Sequence, residues 1–264
     1  MLFRSLADDE DLACDHAGER WAGTKEIRTP AGIGVRVSVT DANRRFDLNN
    51  LSVPAGPAAG RAPADVVLDI LTLCGDFAPV ERVEALRDWM DPDDQGATDT
   101  PYYAKLKPPY RAANAPLESW GDLPHVRHFS RGYFAPHERH ASSEPYSANP
   151  VDSLDVLPGT RTRPVPVNVN TAGREVLLGV LGIESESLAQ WILSARAASP
   201  LRSSDSILGS LDPERAAAIE PLLDVRSSFF TVDTRAYAQG RSERLHVLAR
   251  RGSRGDVEVL QWVF

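Results

Sequence analysis

The run Asp91-Pro92-Asp93-Asp94-Gln95-Gly96-Ala97-Thr98-Asp99 holds the residues whose types and spacing best suit chemistry in this chain. Its carboxylates, Asp91, Asp93, Asp94 and Asp99, repel one another at this density unless water or a cation screens them. Oxygen ligands with no Cys or His among them suit a hard ion such as Ca2+. The first half follows the spacing of an EF-hand loop, with oxygens at positions one, three, five and nine (Asp91, Asp93, Gln95, Asp99) and glycine at six (Gly96). The second half departs from it, because position twelve, where that loop carries a bidentate Glu, is Tyr102. Two readings follow: a calcium-stabilised loop that is not an EF-hand, and a solvated acidic turn that caps a helix.

Other chemistries find less support. His125-x-x-His128 and His137-x-x-His140 have spacings that can hold zinc, but no Cys joins them and Arg127, Arg131 and Arg139 add repelling charge. No Gly-x-Ser-x-Gly elbow is present, and neither cysteine has a His–Asn pattern that would activate it. A carboxylate-pair hydrolase built on Asp91 and Asp94 is conceivable, yet Trp89, Trp120 and two tyrosines do not define a sugar cleft. Val167-Asn168-Val169-Asn170-Thr171-Ala172, followed by paired short helices, is similar to a helix-hairpin-helix DNA-binding unit. Its hairpin, Leu181-Gly182-Ile183-Glu184-Ser185-Glu186, lacks a second glycine and carries acids where a phosphate would approach, so no nucleic-acid contact is expected.

Composition narrows the class. The 264 residues are 42% hydrophobic and 25% charged, as in an ordinary globular protein, and the net charge of -8 argues against a phosphate-backbone binder. No apolar run approaches the ~20 residues that span a bilayer. Nor does a signal peptide develop, because the chain turns acidic at Asp8-Asp9-Glu10-Asp11. The expectation is a cytosolic protein or one whose N-terminal segment has been removed. Cys14 and Cys74 could form one disulfide; the row Val66, Val67, Ile70, Leu71, Cys74 favours a packed thiol on a buried helix face.

The elements that must position the acidic loop read as strands at both ends and helices between. Ile33, Val35, Val37 and Val39 alternate as in a half-buried strand, and an Asn-rich turn, Phe46 to Leu51, follows. Strands from Phe230, around Leu245–Ala249 and from Val257 to Phe264 predict an antiparallel meander, the last strand apolar on both faces and expected to be well covered. Between them, Val66–Cys74 closes on Gly75; Val80, Val83, Leu86 and Met90 share a face of a helix opened by Pro79; Val176–Leu181 stops at Gly182. Leu188, Trp191, Ile192 and Ala195 line the next helix, and Asp212-Pro213 caps the last. A lone N-terminal strand needs partners, so the helical middle reads as an insertion into a sheet domain formed by both ends. The expected division is 1–56 and 225–264 for the sheet unit and 57–224 for the helices, in two lobes of about 57–150 and 151–224. Residues 133–166 lack periodicity and read as a long loop.

A series of landmarks in order resembles the minor pseudopilin K family of bacterial type II secretion systems. They are Trp21-Ala22, Val39-Thr40-Asp41, Arg45-Phe46-Asp47-Leu48-Asn49-Asn50-Leu51, Asp88-Trp89-Met90-Asp91-Pro92-Asp93, Gly96-Ala97 with Tyr102, Pro109-Tyr110-Arg111-Ala112-Ala113-Asn114, Asn168-Val169-Asn170-Thr171-Ala172, and Trp262 in the closing strand. The resemblance implies an α+β fold: a pseudopilin-type antiparallel sheet with a large inserted helical domain of two SAM-like, helix-hairpin-like lobes. It implies the periplasmic part of a protein anchored in the inner membrane by an N-terminal helix that this sequence lacks. It implies a non-enzymatic subunit that caps the pseudopilus tip and helps start assembly with minor pseudopilins I and J, with minor pseudopilin H as a further neighbour. It also implies bound calcium, with Asp91, Asp93, Asp94 and Asp99 as the ligand set. The rival functions are a helix-hairpin-helix nucleic-acid binder and a carboxylate-dependent hydrolase.

Overall fold

The computed structural model describes residues 13–30, 32–53, 61–130, 133, 149–159, 162–252 and 256–263. Five strands make the main sheet: β1 Gly23–Arg28, β2 Gly34–Asp41, β7 Phe229–Ala238, β8 Arg241–Arg251 and β9 Val257–Val263, in spatial order β1-β2-β7-β8-β9 and antiparallel throughout. The two ends of the chain thus close one sheet, with β2 pairing β7 so that Val39 faces Val232 and Asp41 faces Phe230. The N-terminal end supplies two strands instead of the single one expected. The charged, fully exposed pattern of β1 (Gly-Thr-Lys-Glu-Ile-Arg) carries no period-two apolar signal, and pairing to β2 makes it a strand. The β7–β8 turn places Gln239 at φ +48 and Gly240 at φ +79, the tandem left-handed pair that a two-residue hairpin requires.

The intervening chain forms short parallel pairings, β3 Phe46–Asp47 with β4 Leu154–Asp155 and β5 Val167–Asn168 with β6 Leu223–Asp224. Its helices are α1 Pro63–Leu73, α2 Pro79–Met90, α3 Thr100–Tyr103, α4 Pro150–Ser153, α5 Arg174–Leu181, α6 Glu186–Ala198, α7 Asp205–Leu208 and α8 Pro213–Ile219. Proline stands at the start of α1, α2 and α8, where a missing N–H costs nothing, and Asp212 caps α8 by accepting from the Arg215 N–H. α1 ends on Gly75 (φ +74) and α5 on Gly182 (φ +98), both left-handed as the sequence predicts. Val66, Val67, Ile70 and Leu71 are buried against Val176, Leu177 and Val180 in one apolar cluster that reaches from Cys14 and Phe46 to Val225. Gly179 lets α1 and α5 approach, since a Cβ there would lie 2.5 Å from Ile70. Cys14 and Cys74 are both buried thiols and are not joined in a disulfide. Among the described residues, no helix is long and apolar enough to cross a membrane.

Several expectations need correction. Val80 is 50% exposed and Trp191 is 44% exposed, so the buried face of α2 turns on Val83, Ala85, Leu86, Trp89 and Met90, and that of α6 on Ala189 and Ile192. The helical period was right and its phase was off. Trp262 is 69% exposed and Val263 63%, so β9 is an uncovered edge strand. The Asn-rich turn is present as a 3-10 turn, Leu48–Ser52, in which Asn49 and Asn50 are wholly buried. The Asn49 amide donates to the carbonyls of Leu117 and Leu157 and accepts from the Leu117 N–H; Asn50 exchanges a similar pair with Val165. These asparagines act as backbone mimics that tie distant loops to the core. Of the 133–166 stretch, the described part forms α4 and β4, while His137 and His140 lie outside the described residues.

A buried polar network joins the sheet to the helices. The Arg251 guanidinium donates to both carboxylate oxygens of Asp15 at 2.6 and 2.5 Å, and Asp15 also accepts from the Ser227 N–H at 2.7 Å. The Asp41 carboxylate accepts from the Asn43 N–H at 2.8 Å, the Ser227 hydroxyl at 2.7 Å, the Thr171 hydroxyl and the Asn168 amide at 3.1 Å. Burial pushes the Asp41 carboxyl up to about 6, against the pull of the Thr171 and Ser227 hydroxyls.

Candidate metal centre

α2 delivers the chain to Asp91 and α3 takes it up after Asp99, so the loop between is held at both ends. Asp88, in the last turn of α2, accepts from both the N–H and the hydroxyl of Thr98, each at 2.8 Å. Gly96 crosses over that clamp. A Cβ at this position would sit 2.1 Å from the Asp88 carboxyl carbon, so close approach, not a left-handed backbone, demands the glycine. Asp93 accepts from the Gln95 N–H at 2.9 Å, a local turn that leaves its other oxygen outward. Asp99 precedes α3 yet does not cap it; its carboxylate accepts from the Gly96 N–H instead.

The floor is aromatic. Trp89 meets Tyr103 edge-on at 5.1 Å, and Tyr103 stacks on Tyr110 at 5.0 Å. The Tyr110 hydroxyl donates to the His125 carbonyl, and the Tyr103 hydroxyl accepts from the Arg127 N–H. Tyr102, at position twelve of the loop, faces Arg127 across its ring at 4.6 Å. It packs where an EF-hand would ligate. Trp89 precedes Asp91 by two residues and Tyr103 follows Asp99 by four, so the paired rings tie the two ends of the loop together.

The structure brings three of the four candidate carboxylates together. Asp91, Asp93 and Asp99 each offer an oxygen within 4.8 Å of the others, and Asp94 is not in that group. Asp94 still acts on the group, since its charge helps raise the Asp99 carboxyl. Burial pushes Asp91 and Asp99 upward first, and neighbouring carboxylates add to it: Asp93 and Asp99 for Asp91; Asp88, Asp93 and Asp94 for Asp99. Asp99 is wholly buried, and one oxygen each of Asp91 and Asp99 is shut from water without a hydrogen-bond partner. Asn114 Oδ1 is likewise buried and unpartnered, on a residue at φ +46 whose N–H reaches the Trp89 carbonyl and whose amide leans on the Asp93 carbonyl at 3.5 Å. Buried acceptors that lack donors are costly unless a cation meets them. An all-oxygen set, one buried and one half-buried carboxylate, one exposed carboxylate and an amide oxygen nearby, fits Ca2+.

Sequence reasoning missed Asp88 and Asn114 as members of this site. Both stand inside the sequence landmarks, but nothing in spacing alone shows Asp88 reaching Thr98 or Asn114 folding back onto the loop. His125 and His128 are exposed and take no part in a ligand group among the described residues. The hairpin at Gly182 is closed from within: Arg215 donates to the Leu181 carbonyl, the Glu184 carboxylate and the Ser185 hydroxyl.

Residues 44–141 match the family described as type II secretion system (T2SS), protein K. The chain is 27% identical to the type II secretion system protein K of Aeromonas hydrophila, over 95% of its own length and 80% of that protein's. Its fold is similar to that of a chain in the crystal structure of the GspK-GspI-GspJ complex from the enterotoxigenic Escherichia coli type 2 secretion system. That likeness has a TM-score of 0.72 at 18% identity and covers 99% of this chain and 89% of that one. Helices set between the strands of an antiparallel sheet that both ends of the chain build are an architecture shared with that structure. Within residues 44–141, the chain is similar to the type II secretion system protein K family.

Proposed function

We propose that this chain is the tip subunit of a type II secretion pseudopilus, assembling with minor pseudopilins I and J and helping to start the filament. The observation that carries the reading is the fold likeness, over nearly the whole chain, to a structure whose name joins GspK with GspI and GspJ. The helices inserted between β2 and β7 add a mechanical reason, because such bulk above the sheet obstructs a further subunit stacked on it. The division into a sheet unit, 1–56 with 225–264, and an inserted region, 57–224 in two lobes, belongs to this proposal, as do a periplasmic place, an inner-membrane anchor and minor pseudopilin H as a further neighbour.

Calcium is the second part of the proposal. Asp91, Asp93 and Asp99 would hold the ion, Asn114 lies close enough to the loop to add its amide oxygen, and Asp94 would contribute charge from outside the group. The ion would offset carboxylate repulsion and fix the loop against the Tyr103–Tyr110 floor. Two buried carboxylate oxygens without donors support this over a solvated acidic turn.

Mixing the chain with the soluble domains of pseudopilins I and J, and measuring mass by light scattering with calcium and with chelator, tests both parts. A 1:1:1 complex is expected, stronger with calcium. Absence of any complex in either condition would remove the tip role; a complex indifferent to chelator would remove calcium from it. Nucleic-acid binding is the second reading, and the internally closed hairpin predicts no mobility shift at physiological salt.

A further inference from the structure

Between the sheet and α6 lies a cleft of about 830 Å3, in the size range of small-ligand sites. Its walls come from the His16–Gly23 segment, β2 at Ser38–Asp41, Asn170-Thr171, and the C-terminal end of α6 with Pro200. Two arginines, Arg44 and Arg196, line it. Several other buried or part-buried arginines are matched to acids, Arg45 to Asp155, Arg61 to Asp69, Arg82 to Asp76 and Arg251 to Asp15, while Arg127 lies over the Tyr102 ring. Among the described residues, no carboxylate pairs with Arg44 or Arg196, and Arg44 Nε is buried without a hydrogen-bond partner.

Arg196 has partial satisfaction, since it donates to the Val169 carbonyl at 2.7 Å and stands in the last turn of a helix, where a cation is favoured. Arg44 has neither. The two guanidiniums also feel each other: burial first, and then the charge of Arg44, lower the basicity of Arg196. Asp41 lines the same cleft, but donors from Asn43, Thr171, Ser227 and Asn168 already occupy its oxygens. A half-buried cation pair with no ion-paired acid among the described residues, in a chain of net charge -8, is an imbalance that a bound carboxylate would remove.

We propose that this cleft receives a carboxylate side chain on an acidic peptide segment of a partner protein, held by the guanidiniums of Arg44 and Arg196. Guanidinium groups take carboxylates in charge-assisted, often bidentate bonds. A peptide fits better than a free inorganic anion because Trp21, Val39, Leu193, Ala197 and Pro200 give the cleft apolar walls that suit the residues flanking the acid. The inference stands apart from the tip reading, and either can fail without the other.

The test titrates acetyl-Leu-Glu-Leu-amide into the 15N-labelled full chain, up to the millimolar range, and reads amide shifts. Saturable shifts are expected at Thr171, Ala197 and Arg44, with the corresponding Gln peptide about tenfold weaker or silent. Arg44→Gln and Arg196→Gln should each weaken the Glu peptide by about tenfold, and Arg44→Gln should leave the melting temperature unchanged or higher, as relief of like-charge repulsion requires. A melting temperature that falls would mark Arg44 as structural and overturn the proposal. So would the absence of shifts, shifts that survive both substitutions, or inorganic phosphate binding as tightly as the Glu peptide.

Discussion

Two regions of the molecule take carboxylates out of water, and they do so in opposite ways. At the junction of sheet and helices, Asp15 is met by Arg251 and the Ser227 N–H, and Asp41 by an amide N–H, two hydroxyls and an asparagine amide. Every donor is supplied by the chain. In the 91–99 loop, Asp91 and Asp99 each keep a buried oxygen with no donor, and no Arg or Lys enters an ion pair with them among the described residues. The junction is complete in itself, whereas the loop leaves two buried acceptors unmet. The same residue type is therefore fully met by donors in one place and left short of them in the other, and the neighbours decide which.

The largest effect should come from breaking the junction. Arg251→Met leaves Asp15 buried without its cation, and unfolding measured by urea should lose about 3–5 kcal/mol. That loss should be the same with and without calcium, since the junction owes nothing to the ion. An equal loss that calcium restores would erase the distinction between the two regions.

Next in size is the loop itself. Calcium at about 100 times its dissociation constant should stabilise the chain by about 2.7 kcal/mol, and chelation should lower the melting temperature by several degrees. Asp91→Ala combined with Asp93→Ala should abolish that dependence while leaving the Arg251→Met effect intact. Thermal midpoints indifferent to chelator would return the loop to a solvated turn.

A smaller effect separates the regions by pH. Asp41 has a carboxyl raised to about 6 by burial, so its contribution to stability is fully present below about pH 4 and is lost as pH rises through 6. The expected change is about 2–3 kcal/mol across that window. Asp41→Asn should flatten the slope between pH 4 and 6, a change readable by denaturation at a series of pH values with chelator present. A slope unchanged in the variant would assign it to other groups.

Much of this architecture was legible in the sequence, for identifiable reasons. The β2 alternation, Gly75 and Gly182 as helix stops, Pro79 and Asp212-Pro213 as helix starts, and the β7–β9 meander rest on local rules that burial did not override. The acidic loop was legible because carboxylate density is a property of spacing. What escaped depends on tertiary neighbours. β1 is a strand only because β2 lies beside it, and Asn49 and Asn50 look like turn residues until Leu117, Leu157 and Val165 arrive as their partners. Carboxylate density alone admits Asp94 and Asp99 alike to the ligand set; the fold buries Asp99 and leaves Asp94 outside the group. The apolar end of β9 suggested cover, and its place at the sheet edge denies it.

The central claim is that the loop's unpartnered oxygens wait for a cation. Equilibrium dialysis against radioactive calcium tests it most directly, on the wild-type chain, Asp99→Asn and Asp94→Asn. The account predicts at least one ion retained per wild-type chain, loss in Asp99→Asn, and a weakening of only a few fold in Asp94→Asn, the scale of an exposed charge interaction. Calcium that is not retained, or that is retained equally by Asp99→Asn, would contradict it.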